Sequence, residues 1–131
     1  MTALFDQPDG TLVQLYREDG RPLSSRPLLA RSVWRRLIGF MFRRRLRPGE
    51  ALLMMHPEGI QEAAIHMRFV FCPLGVIWFS NELVVVDKLI ARPWGKYYAP
   101  RAAAVFTLEG DVGLVEEVEV GERVRVGGVF E

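Results

Sequence analysis

The sequence predicts a mainly β domain, a sandwich or partly closed barrel, with one short α-helix near residues 32–42. Three observations carry that expectation. Short apolar runs separated by Gly, Pro, Asn and Asp recur along the chain. One segment alone has the 3.6-residue apolar period of a helix, whereas a parallel α/β sheet needs several helical crossovers. Finally, 131 residues, half of them apolar, suffice for one core and leave little room for a second.

The helix starts at Ser32, whose hydroxyl is placed to accept from a free N–H of the first turn. Trp34, Leu37, Ile38 and Met41 follow at the spacing of one helical face. Gly39 inside that pattern either admits a close backbone approach or ends the helix early. Strands are expected over residues 11–17, 51–55 and 64–71, the last with Ile65, Met67, Phe69 and Phe71 at period two. Residues 76–79 and 83–89 flank Asn81-Glu82 as the arms of a hairpin, apolar enough for burial on both faces. Residues 102–108 and 118–126 complete the set.

Composition excludes several classes. The N-terminal stretch carries Asp6, Asp9, Glu18 and Asp19 and has no apolar run of signal-peptide length. The apolar run 69–79 is broken by Pro73 and Gly75 and is too short to span a bilayer. The expectation is a soluble, cytoplasmic protein without membrane insertion. Cys72 is the lone cysteine, which excludes an internal disulfide framework. Two histidines without paired short spacings give no metal site, and the glycines follow no phosphate- or dinucleotide-binding pattern, so no cofactor is expected.

A net charge of +1 conceals a polarised chain. Residues 21–47 hold nine arginines (21, 26, 31, 35, 36, 43, 44, 45 and 47) and no acid, while residues 109–122 hold six acids and no base. The arginines form either a phosphate-contacting surface or a solvated helix face paired with the acidic segment. Arg92-Pro-Trp-Gly-Lys-Tyr-Tyr-Ala-Pro-Arg101 interleaves cations with rings, the arrangement that stacks bases and meets phosphates. The same aromatics could instead cap the end of the core.

Catalytic candidates are His66, Arg68, Asp87 and Glu109. His66 and Arg68 stand two apart on an expected strand and so share a face, where the arginine favours a neutral, basic imidazole. Asp87 and Glu109 lie near strand ends, either one capable of acid/base work. Ser80 lies outside a nucleophile elbow, and Cys72 sits in an apolar run where a thiol is inert packing. A pairing of Cys72 with His56 or His66 could arise only through the fold.

Gly39-Phe40-Met41-Phe42-Arg43 with Leu46 resembles the Gly-Leu-Met-x-Arg…Leu element of the domain-of-unknown-function family 192. Residues 51–53 are similar to its first core strand, and Ile65-His66 with Pro73-Leu74 to its Ile-His…Pro-Ile-Asp segment. Pro93-Trp94, residues 102–109 and residues 120–124 continue the likeness, which spans about residues 30–127. The resemblance implies a compact β-rich fold with a short helix and no settled activity. It divides the chain into an N-terminal extension, 1–29, with a short strand or hairpin, and one β-rich domain, 30–131. Gly75 stands where the family places Asp, and Met67, Val70, Phe71 and Cys72 replace polar residues, which leaves His66, Arg43 and Glu109 polar.

The reading that follows is a small non-enzymatic module that binds a ligand or protein partner. Its binding residues are expected to be Arg43, Trp94, Lys96, Tyr97, Tyr98 and Arg101. A nucleic-acid-binding module using the Arg-rich helix and the Trp94 loop is the alternative, and a hydrolase-like enzyme centred on His66 is the third. A second copy of the chain is a further candidate partner, because apolar strand pairs can sit at a dimer interface.

Overall fold

Leu74–Phe79 is apolar at every position, and in the computed structural model all six residues are buried, as a strand covered on both faces requires. The structure describes residues 3–56, 64–95 and 97–130. Along the chain the strands are β1 (Leu12–Tyr16), β2 (Arg26–Ala30), β3 (Glu50–Met55), β4 (Ile65–His66), β5 (Leu74–Phe79), β6 (Val85–Ala91), β7 (Tyr97–Tyr98), β8 (Phe106–Gly110) and β9 (Arg125–Phe130). Among the described residues a single α-helix, α1 (Val33–Ile38), joins β2 to β3, and 3₁₀ turns cover Ala3–Asp6 and Val112–Glu116.

Seven strands form one mixed sheet in the order β6-β5-β8-β3-β2-β1-β9, and β4 pairs with β7 in a second, two-stranded sheet. Within the large sheet, β2 and β3 run parallel through the α1 crossover, while the other pairs are antiparallel. Residues 121–124 hydrogen-bond to Leu83 and Val85 and bring the two ends of the sheet near one another, but it does not close into a barrel. The protein is therefore mainly β, of a sandwich-like kind. No helix among the described residues is long and apolar enough to cross a membrane.

Two apolar clusters lie on opposite faces of the sheet. Leu15, Leu29, Leu53, Ile77, Phe79, Phe106 and Leu108 build the inner one. Phe40, Leu52, Met67, Leu74, Val76 and Trp78 build the outer one, beneath α1 and the loops. Alternation along β3 and β5 distributes their residues between the two, so neither strand shows a polar face in sequence.

Ser32 caps α1 as expected, its hydroxyl accepting from Arg35 N at 3.1 Å. The helix stops at Ile38, because Gly39 takes φ +49° and ψ −123°, a conformation that favours glycine. The side chains of Trp34 and Leu37 lie outside the described set; Met41 packs on the outer cluster.

Three expectations need correction. The strand over 64–71 is only Ile65–His66, since the chain turns at Arg68-Phe69 with Phe69 at φ 60° and Val70 N–H donating to Met67 O. That turn puts Met67 and Val70 in the outer core and leaves Phe69 and Phe71 exposed, so the period-two pattern spans a bend. The strand over 102–108 begins at Phe106. The strand over 118–126 is a turn through Gly121 (φ 95°) followed by β9 from Arg125. Beyond the expected strands, β2 lies between β1 and β3 in the large sheet.

Gly75 has a steric reason: a Cβ there would collide with the Asp111 carbonyl, where the turn Val112–Glu116 crosses β5. An aspartate could not occupy the position without moving that turn.

Candidate functional site

The outer face of the sheet carries the polar residues of interest. Leu52 stands opposite Glu109 and Met54 opposite Thr107, so His56 and Glu109 flank Thr107 from neighbouring strands. His56 Nε2 lies 2.7 Å from Thr107 Oγ1. The end of α1 closes over them: a Cβ on Gly39 would stand 3.5 Å from Glu109 Oε1, with no side chain between. Arg36, Gly39, Phe40, Met54, His56, Ile65, His66, Leu74 and Glu109 line a half-open pocket of about 260 Å³.

Burial sets the charge inside this pocket. Glu109 is 4% exposed, and its carboxyl makes no hydrogen bond within the described residues. Desolvation pushes it up to about 8, which keeps it mostly protonated at neutral pH. Desolvation, aided by the charge of Arg36, lowers His56 to about 4, so its imidazole is neutral. Arg36 Nε is buried without a hydrogen-bond partner. Arg68 N–H donates to His66 Nδ1 at 3.3 Å, which in the neutral ring leaves the proton on Nε2.

The four catalytic candidates do not converge. His66 and Glu109 line the one pocket. Arg68 belongs to a neighbouring surface hollow that His66 also reaches. Asp87 stands opposite Trp78 on β6, separated from β8 by β5, about 10 Å across two strand spacings. Burial acts to raise its carboxyl, and hydrogen bonds from Arg101 and Lys88 outweigh that and hold it below its ordinary value. Asp87 thereby fixes the 99–104 loop rather than working in a cleft.

Beside the pocket lies an aromatic shelf built on three turns. Phe42 N–H donates to Phe69 O, Phe71 N–H to Arg43 O, and Trp94 N–H to Val70 O, which stitches the turns together. Phe42 and Phe69 stack at 5.4 Å between ring centres, and Trp94 meets Phe69 at 5.0 Å and Phe71 at 5.6 Å. Phe42 and Trp94 are 65% and 55% exposed, and Tyr97 is 76% exposed. His66, Arg68, Phe69, Trp94, Gly95 and Tyr97 line an open hollow of about 890 Å³. Phe42, Phe69 and Trp94 also hold positive φ, at 68°, 60° and 59°. Each such aromatic costs about 1–2 kcal/mol, so the shelf is held against local preference.

Cations rim this shelf. Arg44, Arg45, Arg68 and Arg92 are exposed. Residues 36–49, 64–81 and 88–108, which supply the shelf and its surroundings, contain no acid. Three other arginines of 21–47 are held in ion pairs: Arg21 with Asp19, Arg35 with Asp9, and Arg43 with Glu50 through two bonds of 2.8 and 2.6 Å. Those pairs do not involve the acidic segment 109–122. Three of its acids cap backbone instead, Glu117 accepting from Ser24 N, Glu122 from Glu18 N and Asp111 from Gly113 N.

Of the expected binding residues, Trp94 and Tyr97 lie on the shelf. Arg43 is held by Glu50, whose carboxyl these hydrogen bonds keep below its ordinary value. Arg101 is tied to Asp87, and Tyr98 is half-buried with its hydroxyl accepting from Arg92 N at 3.1 Å. Lys96 lies outside the described residues. Phe42, Phe69, Phe71 and Arg36 are not among the expected site residues: turns rather than periodicity expose the rings, and only the fold carries Arg36 over β3. Cys72 sits by Arg43 and Glu50 rather than a histidine, and burial raises its thiol.

Comparison with known proteins decides the kinship. The family model DUF192, described as "Uncharacterized ACR", matches residues 16–126. The chain belongs to the DUF192 family. The match begins with the last residue of β1 and takes in β2, earlier than the likeness visible from motifs alone. A UPF0127 protein of Pyrococcus abyssi is 42% identical over 94 residues, covering 70% of this chain and 77% of that protein. Another, of Thermococcus kodakarensis, is 34% identical over 104 residues, covering 79% and 64%. Among solved structures, a Novosphingobium aromaticivorans protein of unknown function superimposes with TM-score 0.73 at 20% identity, over 95% of this chain and 97% of that one. A Sinorhizobium meliloti protein described as a candidate transcription regulator gives TM-score 0.75 at 22% identity, over 88% and 92%. These two likenesses bear on the DUF192 fold alone.

Proposed function

We propose that this DUF192 chain is a non-enzymatic binding module whose working surface is the aromatic shelf of Phe42, Phe69, Phe71, Trp94 and Tyr97. The observation that supports it most is the strain: three exposed aromatics are kept at positive φ on turns bonded to one another. Ring clusters are normally buried, and an exposed one held at a conformational cost serves contact with something else. The acid-free cationic rim favours a partner that brings negative charge together with flat or apolar groups.

Single-stranded nucleic acid has that chemistry, since each base has a face to stack and each phosphate a charge to pair. The alternation of Trp94 and Tyr97 with Arg68 and Arg92 favours it as the specific form of the reading. The hydrolase alternative has weaker support: Ser80 Oγ accepts from Val84 N and Glu82 N in its turn, and the Cys72 thiol is raised.

Amide chemical-shift mapping tests the proposal with three probes: a short single-stranded oligonucleotide, a nucleoside monophosphate and an acidic, aromatic-rich peptide. Saturable shifts at residues 42, 69, 94 and 97 are expected for at least one probe, with Trp94→Ala weakening it by about 1–3 kcal/mol if bases stack there. Oligonucleotide binding should fall steeply with salt. Silence from all three probes refutes the module; a salt-insensitive peptide response alone removes nucleic acid.

A further inference from the structure

We infer that the pocket between the end of α1 and strands β3 and β8 is a second site, one that binds a small monocarboxylate with a short apolar tail through Arg36 and Glu109. It is separate from the shelf, although His66 borders both.

The argument starts from unmet hydrogen-bonding capacity. A buried polar group without a partner costs free energy, and native proteins keep few of them. One such group stands here beside a buried carboxyl: Arg36 Nε is buried and unpartnered, and Glu109, 4% exposed, makes no side-chain hydrogen bond to a described residue. Neither is satisfied by the other, since Arg36 Nε has no hydrogen-bond partner. Both border the same empty volume of about 260 Å³, just below the range of drug-sized pockets. That size suits a small metabolite.

The polarity of the walls selects the ligand. Glu109 as a neutral acid offers one O–H donor and one carbonyl acceptor. Arg36 brings the fixed positive charge, and the neutral His56, anchored on Thr107, adds none. A bound carboxylate would accept from Arg36 Nε–H and from the Glu109 O–H, charge-assisted bonds that leave neither group orphaned. An ammonium ligand would face Arg36 and need Glu109 ionised in a desolvated place, so cations are disfavoured. Phe40, Met54, Ile65 and Leu74 line the rest and suit a short alkyl tail. Gly39 leaves the approach to Glu109 Oε1 free of side chain.

The experiment titrates the full chain with butyrate, butyramide and butylammonium at pH 7, reading amide shifts at residues 39, 56 and 109. Butyrate should give saturable shifts there, with affinity at least tenfold above the other two. Arg36→Gln should lower butyrate affinity by tenfold or more, and Arg36→Lys, which keeps charge but removes the planar donor, serves if the Gln variant does not fold. Trp94→Ala should leave butyrate binding unchanged, which distinguishes this site from the shelf. No saturable shift, a preference for butylammonium, or full affinity in both Arg36 variants would overturn the inference.

Discussion

Glu109 gives the sharpest thermodynamic prediction. Its carboxyl rises from 4.5 to about 8 on folding, through desolvation. The native state then holds a proton between those values that the unfolded chain releases. Stability is therefore full below pH 4.5, falls as pH rises, and levels off above pH 8. At 1.36 kcal/mol per pH unit, the loss amounts to about 3 kcal/mol at pH 7 and about 4 kcal/mol at pH 8. Glu109→Gln keeps the shape and one acceptor but cannot ionise. It should match wild type near pH 4.5 and exceed it by roughly those amounts at pH 7 and 8. Urea midpoints at pH 4.5, 6, 7 and 8, with m held constant, read the difference directly. Parallel pH profiles for the two proteins would mean that the carboxyl is paired or hydrated, and the argument for an unmet donor in the pocket would fail with it.

The remaining predictions concern the elements around both sites. His56 is lowered to about 4 by burial, so it should oppose Glu109 on the acid side, removing stability as pH falls from 6.5. His56→Asn should flatten that limb in the same urea series. Arg43→Ala, which breaks two short bonds to Glu50, should cost about 1–2 kcal/mol without changing the salt dependence of oligonucleotide binding. Arg44→Ala, exposed beside it, should do the reverse. Ser32→Ala should cost about 0.5–2 kcal/mol, measured by thermal unfolding, because it removes the cap of a six-residue helix. Phe42→Gly should leave stability within about 1 kcal/mol of wild type, since relief of positive φ offsets the lost stacking, while partner binding at the shelf weakens.

Much of the fold was legible because it follows from periodicity and local chemistry. The β5–β6 hairpin, the strand over 51–55 and the Ser32 cap each rest on signals within a few residues. What escaped depends on contacts far apart in sequence. β2 has Pro27 and a polar start and becomes a strand by pairing parallel with β3 across α1. Residues 64–71 alternate as a strand would, yet Met67 is drawn into the outer core and forces the turn that exposes Phe69. For the site, Glu109 and His66 were named for their types, but their shared pocket depends on Gly39 and Arg36 lying above them. The arginine run showed charge without partners: Asp9, Asp19 and Glu50 absorb three of its members, which no local pattern indicates.

Both candidate sites descend from one topological feature. The β2–β3 pair is the parallel step in an otherwise antiparallel sheet, and a parallel connection must cross over the sheet face. Here the crossover is α1 and the long return through residues 39–49. The helix carries Arg36 over β3, its abrupt end at Gly39 opens the space above Glu109, and the return loop delivers Phe42 to Phe69. An antiparallel hairpin in the same place would leave Glu109 in solvent, where its carboxyl would titrate normally, and would take one side off the aromatic shelf. A single change at the pivot should therefore disturb both sites together. Gly39→Val demands positive φ from a β-branched residue and sets a side chain against Glu109 Oε1. Simultaneous loss of butyrate shifts at residue 109 and of the Phe42–Phe69 contact is the expected result, and loss of one with the other intact would show that the crossover does not couple them.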